Sequence, residues 1–165
     1  MMKTIITKDL RNKRLNILRE FDAPLELVWK AWTDSSILDQ WWAPKPWKAA
    51  TKVMDFKEGG HWHYCMNGPD GEQHWARVDY EKIVPQENFS GMDSFCDEKG
   101  NLNHDLPRMQ WQVKFSGTGS TTRVEVEVTF ASVEDLEKIV EMGFQEGFAA
   151  AHENLDELLK ELVSI

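Results

Sequence analysis

Apolar residues recur at every second position from residue 47 to residue 130, a period typical of β-strands with one buried face. The alternation is strictest at the end of this region, where Thr122, Val124, Val126, Val128 and Phe130 alternate with polar side chains. Groups of Gly, Pro, Asn and Asp interrupt the pattern, as expected at turns. We therefore predict strands at 47–56, 61–66, 73–83, 87–95, 109–115 and 121–130.

The flanking segments show helical periods. After a predicted strand at 14–21, Asp22-Ala23-Pro24 marks a helix start with Asp22 as the cap, and two short apolar stripes follow until Pro44 and Pro46. From Ser132 to about Leu162, apolar residues repeat at helical spacing, which predicts one long C-terminal helix. The sequence thus predicts an α+β domain in which a curved antiparallel sheet of about seven strands wraps around that helix.

Two glycines, Gly143 and Gly147, fall within the predicted C-terminal helix and share one of its faces. Each costs about 1 kcal/mol relative to Ala in a helix. Two explanations stay open: clearance for a bulky side chain of the sheet, or clearance for a bound molecule.

Length, charge and cysteine content narrow the class of protein. The 165 residues fit a single domain, 1–165, with its core at about 14–162. The net charge of −9 argues against a nucleic-acid partner. The N-terminal residues contain no apolar run that would suit a signal peptide or membrane span, so we expect a cytoplasmic protein with Cys65 and Cys96 reduced.

Tryptophan is unusually frequent, with eight residues beside only two Tyr. Such a content is typical either of a Trp-rich core or of an apolar cavity with rigid aromatic walls. Composition does not distinguish the two.

Several short strings resemble one known family in their order and spacing: Phe21-Asp22-Ala23-Pro24, Val28-Trp29-Lys30-Ala31-Trp32-Thr33-Asp34, Trp41-Trp42-Ala43-Pro44, Asp55 with Gly59-Gly60, Ile83-Val84-Pro85 and Met142-Gly143-Phe144. The chain resembles, from about Leu15 to Leu162, the bacterial single-domain proteins named for the activator of the heat-shock-protein-90 ATPase. That resemblance implies the helix-grip fold of START domains and polyketide cyclases. It also implies a cavity for a small hydrophobic molecule.

The strands at 61–66 and 73–83 form a predicted hairpin, so the direction of their side chains follows from the pairing. If Met66 opposes Gln73, then Tyr64, Trp75 and Arg77 share the interior face with Met66 and Trp62. A cation in that position needs an acceptor, and Asp93 has the matching parity in the next strand. Arg77 is then either a structural ion-pair partner or a polar clamp for a ligand.

These considerations give a predicted ligand site between the sheet and the C-terminal helix. Its residues are Trp42, Trp62, Tyr64, Met66, Trp75, Arg77, Asp93, Phe95, Met109, Trp111, Phe144, Gly147 and Phe148.

The opposite face of the hairpin would carry His61, His63, Cys65 and His74. Such a set contains zinc-ligand types, but an exposed polar strand face explains it fully. We therefore predict no metal site, and we assign no role to His104 or His152. No cofactor is expected either, because the sequence has neither a P-loop nor a dinucleotide fingerprint.

The leading functional hypothesis is binding or carriage of a small aromatic, polyketide-like or lipid-like molecule. A cyclase or hydro-lyase is an alternative, with Tyr64, Asp93 and Arg77 as acid, base and oxyanion partner. A module that stimulates a chaperone ATPase is a third possibility. The edge strands of an open sheet are compatible with a monomer or a homodimer.

Overall fold

The computed structural model describes residues 3–163, and in it eight antiparallel strands form one curved sheet. The order of the strands across the sheet is β1-β2-β8-β7-β6-β5-β4-β3. The elements are, in chain order, β1 (Ile5–Asp9), β2 (Arg14–Phe21), α1 (Leu25–Thr33), α2 (Ser35–Trp41), β3 (Lys48–Met54), β4 (His61–Asn67), β5 (Gln73–Val84), β6 (Asn88–Cys96), β7 (Met109–Thr118), β8 (Thr121–Thr129), α3 (Val133–Glu141) and α4 (Phe144–Val163).

The α+β class and the curved sheet are confirmed, and the number of strands differs from the prediction by one. The additional strand is β1, which lies at the edge of the sheet and pairs only with β2 among the described residues. None of its residues is fully buried. An edge strand without a buried face has no need of alternation, so its sequence carries no period-two signal.

The two short helices follow the first predicted strand as expected, although the first one begins differently. Pro24, not Asp22, is the residue that caps α1, and no side chain caps it. The second helix has the side-chain cap, because Asp34 accepts a hydrogen bond from the backbone N–H of Ser36 at 2.9 Å.

The predicted single C-terminal helix is wrong in one respect: it is broken into α3 and α4 at Met142 and Gly143. Ser132 caps α3 through the backbone N–H of Asp135. The break follows from Gly143, whose φ of +90° lies in a region that favours glycine and ends a helix. The apolar stripe continues through the break, which is why periodicity alone did not reveal it.

The core lies between the concave face of the sheet and α4. Inward-facing Val124, Val126 and Val128 of β8 belong to one cluster with Ala151 and Leu155 of α4. Asn154 of α4 donates to the carbonyl oxygens of Trp41 and Ala43, which fixes the end of α2 against the helix. No helix among residues 3–163 combines the length and the apolar character required to cross a membrane.

Candidate functional site

A cavity of about 270 Å³ lies between the concave face of the sheet and the helices α3 and α4. All of the predicted ligand-site residues except Trp62 and Arg77 lie around it. Whether they contact a bound molecule stays a prediction.

Aromatic rings form the wall of the cavity between β7 and α4. Trp111 of β7 lies 5.4 Å from Phe148 and 6.0 Å from Phe144 of α4, measured between ring centroids. Trp42, just after α2, is 5.9 Å from both Trp111 and Phe148. Because these rings contact one another edge to face or at a tilt, each holds its neighbours in place. The wall is therefore apolar and closely packed.

The register of the β4–β5 hairpin corrects the predicted facing. Asn67, not Met66, pairs with Gln73, so every residue of β5 is shifted by one relative to β4. The shorter loop is closed by a hydrogen bond from the N–H of Gly68 to the carbonyl of Glu72. A one-residue shift exchanges the two faces of a strand. As a result, His74 shares the concave face with Met66, whereas Trp75 and Arg77 lie at convex-face positions. The predicted interior facing of both is therefore wrong, and Trp75 borders the cavity without belonging to its concave wall.

Arg77 therefore does not pair with Asp93, and that prediction is wrong. Its guanidinium binds both carboxylate oxygens of Asp79, at 2.6 and 3.1 Å, and donates to the carbonyl of Gly100 at 3.1 Å. Of the two roles considered for it, the structural ion pair is the one observed. Arg77 joins the sheet to the loop after β6.

The convex face of the hairpin is also covered, not exposed as predicted. His63 is buried, and its Nε2 lies 3.0 Å from the carbonyl oxygen of Asp97 in the loop after β6. Cys65 is buried too, and the ring of Trp75 lies 5.1 Å from that of His63. His74 is on the opposite face. Within residues 3–163, no three His, Cys, Asp or Glu side chains are grouped so as to hold a metal ion.

Asp93 of β6 is the carboxyl group that faces the cavity. It lies opposite Val78 of β5 and Met109 of β7 and is only 6% exposed. Burial raises the pKa of Asp93 to about 7, because an ionised carboxylate loses its hydration there, and the backbone N–H of Ser94 offsets only part of this effect. Near neutral pH the group is therefore poised between its acid and its base form.

The indole of Trp42 has its hydrogen-bond acceptor in Tyr64. The indole N–H of Trp42 donates to the Tyr64 hydroxyl at 3.0 Å. Burial, with a smaller contribution from Asp93, raises the pKa of Tyr64 well above its usual value, so the phenol stays neutral. Trp62 stacks on Tyr64 at 4.1 Å and lies behind it, against a second cavity of about 20 Å³.

Some residues around the main cavity were missed by sequence reasoning. They are Pro44, His74, Ala76, Ser94, Ile139, Met142 and Gly143. The correct hairpin register would have indicated His74 and Ala76, since both then share a face with Tyr64 or Met66. Met142 and Gly143 lie around the cavity at the break between α3 and α4, and the apolar stripe gives no sign of that break.

The geometry defines a class: a helix-grip domain of the ligand-binding type, with an apolar cavity between its sheet and its C-terminal helices. The sequence agrees with this class, since the family described as "Activator of Hsp90 ATPase homolog 1-like protein" matches residues 22–160. The chain belongs to that family.

Solved structures of similar proteins share the fold over nearly the whole chain. Protein Ms6760 from Mycobacterium smegmatis is 33% identical with a TM-score of 0.88, covering 95% of this chain and 96% of its own. A protein from Arthrobacter aurescens is also 33% identical, with a TM-score of 0.90 and coverage of 95% and 91%. Protein NE0264 from Nitrosomonas europaea, 24% identical with a TM-score of 0.80 and coverage of 93% and 98%, shows the same fold. Among curated proteins the comparison found no match.

Proposed function

We propose that this protein binds or carries a small hydrophobic molecule in the cavity between the sheet and the helices α3 and α4. The observation that carries the proposal is the cavity itself, about 270 Å³ in volume and walled by Trp42, Trp111, Phe144 and Phe148. Each buried methylene-sized group of a ligand contributes about 0.8 kcal/mol. Aromatic walls of this kind suit flat ring compounds in particular.

The small residue Gly147 supports this proposal. A Cβ at Gly147 would meet only Pro44 Cγ, at 3.8 Å, so no bulky side chain of the sheet requires a glycine there. Gly143 is explained by its backbone conformation instead. The open space beside Gly147 is compatible with room for a bound molecule, and we take it as support for the proposal.

The test is a titration of the intrinsic Trp fluorescence with flavonoid, polyketide-like, bicyclic and fatty-acid probes, supported by native mass spectrometry. We expect saturable one-to-one binding of at least one class of probe. Gly147→Phe fills the cavity and should weaken that binding at least about tenfold. Glu146→Phe adds the same ring at the adjacent exposed position and should leave binding unchanged.

Two results would contradict the proposal. One is the absence of saturable binding across all four classes of probe. The other is equal affinity of the Gly147→Phe and Glu146→Phe variants, which would place the bound probe elsewhere.

A cyclase or hydro-lyase acting on polyketide-like substrates is a second candidate, favoured by the buried Asp93. A carboxyl group with a pKa near 7 suits proton transfer at neutral pH, for instance from a carbon next to a carbonyl. Arg77 has no part in this candidate, because it lies on the convex face. Incubation of poly-β-ketone probes with wild-type protein and Asp93→Asn, followed by mass spectrometry, tests it. Bound but chemically unchanged probes would exclude turnover of that substrate class.

A further inference from the structure

We propose that the cavity selects ring compounds that carry a hydrogen-bonding oxygen, such as a ketone, and that Asp93 and the indole N–H of Trp111 together bind this oxygen. The inference rests on the proposed function, since it specifies the ligand of the same cavity. It assigns a polar recognition point to a site that is otherwise apolar.

The sheet places these two side chains next to each other. Asp93 of β6 pairs with Met109 of β7, and Trp111 lies two residues further along β7, opposite Gly91. Diagonal neighbours of this kind have their Cβ atoms within about 7–8 Å, near enough for both side chains to reach one ligand atom. Gly91 has no side chain to separate them. Both Asp93 and Trp111 line the main cavity and the smaller one behind it.

The indole N–H of Trp111 differs from the other nitrogen donors near the cavity because it has no acceptor in the described part of the chain. The indole N–H of Trp42 donates to the Tyr64 hydroxyl and the Arg108 guanidinium donates to the Ser94 hydroxyl, so both nitrogen donors have acceptors and each hydroxyl keeps its own proton to donate. The indole nitrogen of Trp111, by contrast, is buried and has no hydrogen-bond partner among residues 3–163. A buried donor without an acceptor costs free energy. A ligand oxygen in the cavity would accept from the protonated carboxyl of Asp93, and it would also accept from Trp111 once the side chains that enclose the indole nitrogen shift to admit it.

Because the charge state of Asp93 changes near neutral pH, the proposal predicts that the affinity for a ketone depends on pH. Below about pH 7 the neutral carboxyl donates its O–H to a ketone, and above it the carboxylate has no proton to donate. Affinity for a ketone should therefore fall as the pH rises through about 7. Affinity for the parent hydrocarbon should change little, since it forms no hydrogen bond.

Other titratable groups face Asp93 from the neighbouring strands. They are Tyr64 of β4 and Tyr80 of β5, and burial raises the pKa of both. Cys96 lies on the strand of Asp93 but on its opposite face, and burial raises its pKa to about 11. These groups stay neutral near pH 7. His74 of β5 also lines the cavity. The residues that α3 and α4 contribute, Ile139, Phe144, Gly147 and Phe148, do not titrate.

The test compares 1-tetralone with tetralin, which have the same ring skeleton with and without the ketone. Dissociation constants are measured by Trp fluorescence and calorimetry about 1.5 pH units below and above pH 7. For wild-type protein at the lower pH, we expect 1-tetralone to bind about tenfold more tightly than tetralin. At the higher pH that preference should shrink several-fold.

Substitutions of Asp93 and Trp111 show which side chain is responsible for the preference for the ketone over the hydrocarbon. Asp93→Asn keeps a neutral donor and should make the affinity for 1-tetralone independent of pH, whereas Asp93→Leu and Trp111→Phe should reduce the preference for the ketone. Asp70→Asn, a carboxyl-to-amide change in the exposed hairpin loop, is the matched control and should behave as wild type. Asp93→Asn and Trp111→Phe keep the inference testable if Asp93→Leu does not fold.

Failure of the ketone preference can be distinguished from failure of the hydrophobic site as a whole. Equal affinity of wild-type protein for tetralin and 1-tetralone would overturn the inference and leave the hydrophobic site in place. A pH dependence that disappears in His74→Gln but persists in Asp93→Asn would overturn it as well. If neither compound, nor any probe of the broader panel, binds, both proposals fail together.

Discussion

Asp93 is a carboxyl group in surroundings that favour its protonated form. Its position was predictable in part, because its parity in the strand places it on the same face as Phe89, Gly91 and Phe95. The predicted partner was wrong, since the facing of Arg77 depended on the length of a turn, and alternation within a strand does not determine that length. Local pattern thus predicts which residues share a face within a strand, but not how two strands align.

Replacing Asp93 with Asn should stabilise the protein at pH 8 and leave its stability unchanged at pH 3. The pKa of Asp93 is about 7 in the folded chain and about 4 when unfolded, so folding stability falls as the pH rises between these values. This difference between the folded and unfolded pKa of Asp93 corresponds to at most about 4 kcal/mol in the free energy of unfolding. Urea unfolding at both pH values measures the free energy directly. Equal stabilisation at pH 3 and pH 8 would assign the effect to packing instead.

At the level of elements, the sequence predicted the strands from β2 to β8 well and the C-terminal helices less well. Strands with one buried face show alternation, and turn residues delimit them. The break between α3 and α4 depends on the backbone angle of Gly143, and the apolar stripe continues past it. Similarly, nothing in the sequence of the loop after β6 indicated that this loop folds over His63 and Arg77.

Substitution by Ala should change the stability of the protein in opposite directions at the two glycines near this break. Gly143→Ala places a side chain at a φ of +90° and should destabilise the protein by about 1 kcal/mol or more. Gly147→Ala lies within α4, where a Cβ has room, and should stabilise it by up to about 1 kcal/mol. Thermal and urea unfolding of both variants provide the comparison. The reverse order would show that α3 and α4 are not separated at Gly143.

At the level of the whole molecule, the tryptophans serve both purposes that the composition allowed. Trp32 and Trp41 are buried in the core, whereas Trp42 and Trp111 form the cavity wall. His152 lies within the same aromatic region, its Nδ1 2.8 Å from the Thr4 hydroxyl oxygen. Burial, with a smaller contribution from Arg19, lowers the pKa of His152 to about 3. The neutral imidazole is thus a component of the packed core.

His152 and Asp93 should give the stability of the protein opposite pH dependences. The folded pKa of His152 is below its unfolded value of about 6.5, so its contribution is complete above that pH and is lost as the pH falls toward 3. Between about pH 4 and 6.5, acidification raises the free energy of unfolding through Asp93 and lowers it through His152. In His152→Gln the contribution of His152 is removed and that of Asp93 stays, so the stability of this variant should rise more, or fall less, than that of wild type on acidification from pH 7 to 4. Urea unfolding across this range measures the slope, and a slope identical to that of wild type would contradict the assignment.

The packing of the indole rings also has an optical consequence. Trp42 lies 5.7 Å from Trp32, 5.3 Å from Trp41, 5.4 Å from Trp62 and 5.9 Å from Trp111, between ring centroids. At such separations the electronic transitions of neighbouring indoles couple, and excitation migrates among the rings before emission. The circular dichroism of these coupled transitions therefore reports the relative orientation of five side chains at once.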